Sequence, residues 1–364
     1  MNDTILKEEE RVAFSLRSIY KKYGYLPYKM SKFEEYDLYV TNKEFLVGDG
    51  VITFNDTDGK LLALKPDVTL SIIKNSVDGE AKRKVYYNEN VYRISGSTKQ
   101  FKEIPQAGLE CIGEIGGYDV FEAVYLAAAS LSAISDKFVL DISHLGVLFA
   151  VLSDIHAGEK FDKQVMRCLA EKNAPALTAL CQSEEISASD AEKLQTLLTA
   201  YGKTDEVLEK IAPVCLAGKA KVAYDELQEL CTLLSATEFA DKYRLDFSVV
   251  NDMNYYDDVV FKGFVDGIAD GVLSGGRYDK LMRRMGRKSG AIGFAVNLDA
   301  LEGFNKDETS QDVDVLVFYG DNNTAAEIAA AVQKQIQAGK SVRAQKRKSG
   351  VRFETLVDIT GGGV

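Results

Sequence analysis

Gln106-Ala107-Gly108-Leu109-Glu110-Cys111 alternates polar or missing side chains with apolar ones. In an extended strand successive side chains point to opposite faces, so Gln106, Gly108 and Glu110 share one face and Ala107, Leu109 and Cys111 the other. A glycine between an amide and a carboxylate leaves room for a small ligand against a sheet, with groups on both sides to hydrogen-bond a planar polar moiety. A half-solvated strand without a ligand carries the same pattern, and the residues alone leave both readings open.

Outward from this stretch the chain reads as short strands with helices between them. Residues 85–93 form a strand before it, and the polar segment Gly96-Ser97-Thr98-Lys99-Gln100 fits a hairpin loop able to fold over a nucleotide. Val51-Ile52-Thr53-Phe54 and Leu61-Leu62-Ala63-Leu64 flank a turn ending in Asp58-Gly59, which predicts an antiparallel hairpin. Val12, Leu16, Ile19 and Tyr20 recur at helical spacing, with Gly24 placed for a left-handed cap. Helical spacing returns over residues 120–134. From about 160 to 240 the text turns to Ala, Leu, Lys and Glu, a helical insertion in which Ser189 and Glu192 have capping-box spacing. Strand text resumes over 244–275, and residues 290–303 read as a buried strand running into a helix. The last segment predicts strand, helix, strand at Val313 to Tyr319, Ala325 to Gln337 and Thr355 to Ile359.

Composition narrows the function. At 364 residues with 46% apolar content the chain suits one large core plus an attached module. No run approaches the roughly 18 to 20 apolar residues that span a bilayer, and the amino-terminal text lacks a signal-peptide pattern, so a cytoplasmic protein is expected. Five cysteines, none in C-x-x-C spacing, read as reduced packing residues, and two histidines make a zinc site an unfavoured expectation. A formal charge of −11 argues against gripping polyanions as the main task. The run Lys340, Arg343, Lys346, Arg347, Lys348 is either a local basic patch or a solvated loop before the last strand.

Several motifs stand in a fixed order: Leu64-Lys65-Pro66-Asp67-Val68-Thr69, Val91-Tyr92-Arg93, the Gln106 strand, Tyr255-Tyr256, Ser274-Gly275-Gly276-Arg277-Tyr278-Asp279, and Gly290 through Leu301. Across nearly the whole chain they resemble the histidyl-tRNA synthetases and their non-aminoacylating paralogues, the regulatory subunits of ATP phosphoribosyltransferase. The resemblance implies an α+β fold, a class II aminoacyl-tRNA synthetase-like antiparallel sheet flanked by helices. Residues 1–308 would be that core, with the helical insertion at about 160–240, and residues 309–364 a short βαβ module resembling part of an anticodon-binding domain. It also implies a histidine pocket: Gln106 and Glu110 on the strand, Asp67 and Thr69 near the ligand's amino group, and Tyr255 and Tyr256 closing over the imidazole. Without the resemblance, a Tyr-Tyr pair is ordinary packing. Arg93 matches the arginine that clamps the α-phosphate of ATP, and it reads equally as a structural arginine at a strand end.

The chain departs from the synthetase pattern where that pattern places charge. Arg-Gly-Leu-Asp-Tyr-Tyr is replaced by Asn251-Asp252-Met253-Asn254-Tyr255-Tyr256, so the catalytic arginine is Asn251. In Asn297-Leu298-Asp299-Ala300-Leu301 the arginine that grips ATP phosphates is Ala300, and the carboxylate partner of Arg93 is Ser95. Losing one preorganised counter-charge costs about 10² to 10³ in rate, roughly 3 to 4 kcal/mol. Asp257-Asp258 in place of Thr-Gly adds charge of the wrong sign. The expectation is therefore a regulatory subunit without chemistry, cofactor or metal of its own. Its partners would be the short-form ATP phosphoribosyltransferase catalytic subunit, a second copy of itself in a homodimer, and histidine as effector, with no membrane and no tRNA. The alternatives are a synthetase using Lys102 or Arg277 as substitute cations, and a binding module sensing histidine or tRNA.

Overall fold

The computed structural model describes residues 7–43, 46, 50–79, 81–94, 98–250, 255–304 and 311–361. The chain divides into two compact units, Met1–Phe304 and Asn305–Val364.

The first unit opens with helix α1 (Glu8–Lys22), whose first turn holds Glu8, Glu9 and Glu10 and whose last holds Lys21 and Lys22. That order complements the helix dipole at both ends and stabilises the helix. Val12, Leu16 and Tyr20 form its buried face, and Gly24, at φ +79°, closes it in the left-handed region that favours glycine. Strands β1 (Leu26–Pro27) and β2 (Phe33–Glu35), helix α2 (Tyr36–Thr41), strands β3 (Thr53–Asn55) and β4 (Leu61–Leu64) and helix α3 (Val68–Lys74) follow. β2, β4 and β3 make a small antiparallel sheet, and Gly59 at φ +81° turns β3 into β4, as the Asp-Gly signal predicts.

The long strands β5 (Arg83–Ile94) and β6 (Phe101–Gly113) pair antiparallel over their length, and helix α4 (Gly117–Ser132) follows them. Strand β7 (Phe138–His144) leads into α5 (Leu145–Ile155) and then the insertion: α6 (Glu159–Ala170), α7 (Ala174–Ser183), α8 (Ala188–Leu198), β8 (Tyr201–Gly202), α9 (Thr204–Ile211) and α10 (Gly218–Ser235). Helix α8 starts earlier than the Ser189–Glu192 spacing implies. Ser187 is its cap: the hydroxyl oxygen accepts from the Asp190 N–H at 3.1 Å while donating to the Asp190 carboxylate at 2.8 Å. The chain returns through β9 (Tyr243–Asp246), β10 (Val259–Val265), β11 (Leu273–Arg277), helix α11 (Asp279–Arg284) and β12 (Gly290–Asn297). Where the sequence suggested a helix after residue 297, the structure has a single 3₁₀ turn, Leu298–Leu301.

These strands build a nine-stranded sheet in the order β1-β5-β6-β12-β11-β10-β7-β9-β8. Its pairings are antiparallel except for β1 with β5 and β7 with β9. One face carries Ala107, Leu109 and Cys111 and packs on α1, α4 and α5 in the main core. The opposite face, over β5, β6, β12 and β11, meets α3 and the aromatic residues Tyr87, Tyr255 and Tyr278. The insertion buries one side of each helix in the main core, through residues such as Phe161, Leu177, Leu197 and Leu227. Lys65 is fully buried and pairs with Glu89 at 3.0 Å; burial lowers its pKa and the Glu89 carboxylate pulls it back up.

The second unit contains β13 (Val313–Phe318), α12 (Ala325–Gln337), β14 (Val342–Gln345) and β15 (Phe353–Asp358), three parallel strands in the order β14-β13-β15. Thr324 and Glu327 form the capping box of α12. Strand β14 lies inside the basic run that read as a patch or a loop. Lys346 and Lys348 follow it and pair with Asp321 and Asp358.

Candidate functional site

A cavity of about 390 Å³ lies on the open face of the large sheet, and all seven sequence-predicted residues line it: Asp67, Thr69, Arg93, Gln106, Glu110, Tyr255 and Tyr256. β6 presents Gln106 and Glu110 on this face by its two-residue period, with Gly108 between them. A Cβ on Gly108 would fall 2.2 Å from the Phe294 carbonyl oxygen and 2.5 Å from the Tyr87 hydroxyl, so the glycine is required by close approach. Gly293, opposite Glu110 on β12, is tighter still: a Cβ there would lie 1.7 Å from Glu110 Oε2.

Glu110 is the centre of the site. The Thr69 hydroxyl donates to Oε1 at 2.6 Å and the Tyr278 hydroxyl to Oε2 at 2.5 Å. Burial nevertheless raises its pKa to about 8, because the two hydroxyl bonds do not offset the loss of water and the nearby Asp67 adds like charge. The glutamate therefore holds a proton near neutral pH in the empty site. Asp67 is the cap of α3, accepting from the Leu70 N–H at 2.9 Å. Burial raises its pKa as well, opposed by the Leu70 bond and by Arg93. Two buried carboxyl groups side by side form a place that favours an ammonium group.

Gln106 donates its amide N–H to Asn297 Oδ1 at 2.7 Å, which fixes the amide orientation toward the cavity. Arg93 donates from Nε to the Pro66 carbonyl at 3.0 Å, tying β5 to the start of α3, so it is a structural arginine that also faces the cavity. The rings of Tyr255 and Tyr256 lie 4.9 Å apart, and Tyr255 meets Tyr278 edge-on at 5.7 Å. Tyr278 is the residue that the sequence reading passed over. It stands inside the quoted Gly-Gly-Arg-Tyr-Asp motif, and its position one residue after β11, aimed back across the sheet, was the available signal.

Asp257 and Asp258 correct the expectation that they load negative charge onto the site. Neither lines the cavity. Asp257 accepts from the Asp279 N–H and from Arg283, each at 2.9 Å, and Asp258 takes Arg277 Nη1 at 3.1 Å. Arg277 is held on its other side by Asp279 at 2.8 Å, which removes it as a substitute cation. Lys102 is half exposed, 4.0 Å from Asp299, and does not line the cavity. Ala300 sits on the 3₁₀ turn, packed on the core and offering no charge. Asn251 and Ser95 fall outside the described residues. Among the described residues, His144, Glu226 and Asp258 bring three metal-capable atoms within 4.8 Å of one another. His144 Nε2 stands 2.9 Å from Asp258 and 3.5 Å from Glu226; burial works against the imidazolium, and these two carboxylates outweigh it, so its pKa is raised. With Arg277 on the same aspartate, the group works as an ion-pair network.

The family model described as Histidyl-tRNA synthetase matches residues 3–301. The chain belongs to the histidyl-tRNA synthetase family. A curated relative from Caldanaerobacter subterraneus subsp. tengcongensis, named ATP phosphoribosyltransferase regulatory subunit, is 29% identical over 313 residues, covering 83% of this chain and 81% of the relative. A crystal structure from Bacillus halodurans C, described as an ATP phosphoribosyltransferase regulatory subunit/histidyl-tRNA synthetase, superposes with TM-score 0.75 at 24% identity over 98% of this chain and 95% of that one. An ATP phosphoribosyltransferase complex from Thermotoga maritima contains a chain that matches with TM-score 0.64 at 18% identity, covering 80% and 97%. The large sheet and its flanking helices are thus the class II fold of the histidyl-tRNA synthetase family, as the motif order implies. Positions 251 and 300 of this chain are Asn and Ala.

Proposed function

We propose that this chain is a non-catalytic regulatory subunit of a hetero-oligomeric ATP phosphoribosyltransferase, a cytoplasmic protein that activates a short catalytic subunit and conveys feedback inhibition by histidine. The observation that carries the reading is the contrast between the two ends of the site. The end built from Asp67, Thr69, Gln106, Glu110, Tyr255 and Tyr278 is complete, buried and cross-bonded. The phosphate end lacks the family's arginines, and the nearby Arg277 is already held between Asp258 and Asp279. A pocket kept without its phosphate clamps can bind an amino acid and cannot readily stabilise the charge of adenylate formation.

Relatives 24–29% identical over most of the chain are named ATP phosphoribosyltransferase regulatory subunits, which favours this reading over an active synthetase. Histidine regulation requires that the complex bind histidine with different affinity in its active and inhibited states. A homodimer at the centre of the assembly belongs to the same proposal, as does the descent of the Asn305–Val364 unit from an anticodon-binding domain. The test is to mix this chain with a short-form catalytic subunit and follow phosphoribosyl-ATP formation with and without histidine. Formation that needs both chains and falls on adding histidine is the expected result. A catalytic subunit indifferent to this chain would refute the proposal.

A further inference from the structure

The face of the large sheet opposite the cavity carries a second polar cluster. By the two-residue period of β7, His144 points away from the side of Asp141, which lines the cavity, and toward α5 and α10. It is the cap residue at the start of α5 and is 2% exposed. Gly146 makes room for its ring: a Cβ there would fall 2.9 Å from His144 Cε1 and 3.3 Å from the Ala223 Cβ of α10. Asp258, the residue before β10, is fixed beside the histidine because its carbonyl accepts from the Leu145 N–H at 2.9 Å. Helix α10 supplies Glu226, whose side chain is 57% exposed.

His144 Nε2 stands 2.9 Å from Asp258 Oδ1 and 3.5 Å from Glu226 Oε2. Atoms that share an ion are spaced in this way: with bonds of about 2.0 to 2.2 Å, ligand atoms at right to tetrahedral angles stand about 2.8 to 3.6 Å apart. Hydrogen bonding does not account for the spacing. Among the described residues, His144 Nδ1, His144 Nε2 and Asp258 Oδ1 are all buried without a hydrogen-bond partner. At 2.9 Å the distance is right and the direction is wrong, so the axis of Nε2 misses Oδ1. A ligating nitrogen aims at its ion, and the neighbouring ligand atoms lie well off that axis. The other oxygen of Asp258 is held by Arg277 Nη1 at 3.1 Å, and Arg277 by Asp279 at 2.8 Å, the kind of outer support that orients a ligating carboxylate. A cavity of about 500 Å³, walled by Phe149, Lys219 and Val222, opens onto the group and gives an ion its path.

The structure assigns His144, Asp258 and Glu226 to a binding site for a divalent transition-metal ion, with zinc the ion suited to one imidazole and two carboxylates and water completing its coordination. The ion replaces the ion-pair network of the metal-free chain: the imidazole releases its proton to solvent and bonds through Nε2. It thereby ties α10, from the helical insertion, to the adjoining ends of β7 and β10.

The test is zinc titration of the full chain, first stripped with a chelator, in the wild type, His144→Gln, Glu226→Gln and the neighbouring Glu229→Gln, read by calorimetry and by thermal unfolding. The expected result is one zinc per chain, a Tm raised by zinc, and an affinity lowered at least about 10-fold in His144→Gln and Glu226→Gln but unchanged in Glu229→Gln. Glu226 is exposed enough for its variant to keep the fold, so it decides the matter if His144→Gln does not fold. Magnesium, which takes oxygen ligands, should not displace the zinc. No binding by the wild type, or magnesium competing on equal terms, overturns the site. Binding that survives unchanged in Glu226→Gln overturns it too, and marks the zinc as adventitious.

Discussion

Glu110 makes a quantitative prediction. With its pKa pushed up to about 8, the empty site at pH 7 holds the proton in about nine molecules of ten. An arriving ammonium favours the carboxylate, so the proton must leave. Binding of histidine at pH 7 should therefore release about 0.9 proton from this group, falling to about 0.1 at pH 9. Calorimetry in buffers of different ionisation enthalpy measures the release, and Glu110→Gln, which has nothing to lose, supplies the baseline for protons exchanged by the ligand. The same shift acts on folding. The folded pKa lies above the ordinary value of 4.5, so the contribution of Glu110 to stability is full below about 4.5 and is lost as pH rises through about 8. Across that window the wild type should lose ground to Glu110→Gln by up to about 1.4 kcal/mol per pH unit. Equal proton release by wild type and variant at pH 7 would refute the argument, because it would mean that Glu110 is already ionised when the site is empty.

Gly293→Ala places a methyl group on the Glu110 carboxylate and should weaken histidine binding at least about 100-fold, read by titration, with circular dichroism reporting on the fold. Glu89→Ala leaves the fully buried Lys65 ammonium without its partner and should lower stability by about 3 to 5 kcal/mol in urea unfolding, far beyond the effect of an exposed pair such as Lys163–Glu159. Histidine-dependent ATP–pyrophosphate exchange should stay at background in the wild-type chain and in Ala300→Arg, since restoring one cation leaves the Asn251 position neutral.

The sequence disclosed the site better than it disclosed its wiring. Period two in the Gln106 strand, the Asp-Gly turn and the Gly24 cap of α1 are local rules, and each holds in the structure, whereas the Ser189–Glu192 box gives way to a cap at Ser187. Motif order carried Asp67, Thr69, Arg93 and the tyrosine pair to one cavity. Local text could not show that Tyr278, 168 positions away and just past the end of β11, would bond Glu110, because that contact exists only through the register of β6, β12 and β11. The same reason misplaced Asp257 and Asp258, whose arginine partners lie on β11 and α11. Strand β14 was lost for a different reason: its four residues, Val342 to Gln345, are half polar and sit among lysines and arginines, so pairing with β13 decides their conformation.

The cysteines give the first unit a built-in clock. All five are free and buried, so none reacts with a thiol reagent until its surroundings open. Cys111 sits near the end of β6, on the face opposite the pocket, whereas Cys168, Cys181 and Cys231 belong to α6, α7 and α10, and Cys215 follows α9. Labelling over time, with each modified peptide identified by mass, would thus record when the helical layer parts from the sheet and when the sheet itself comes undone. A ligand seated against β6 should slow the Cys111 signal and leave the four helical ones to keep their own time.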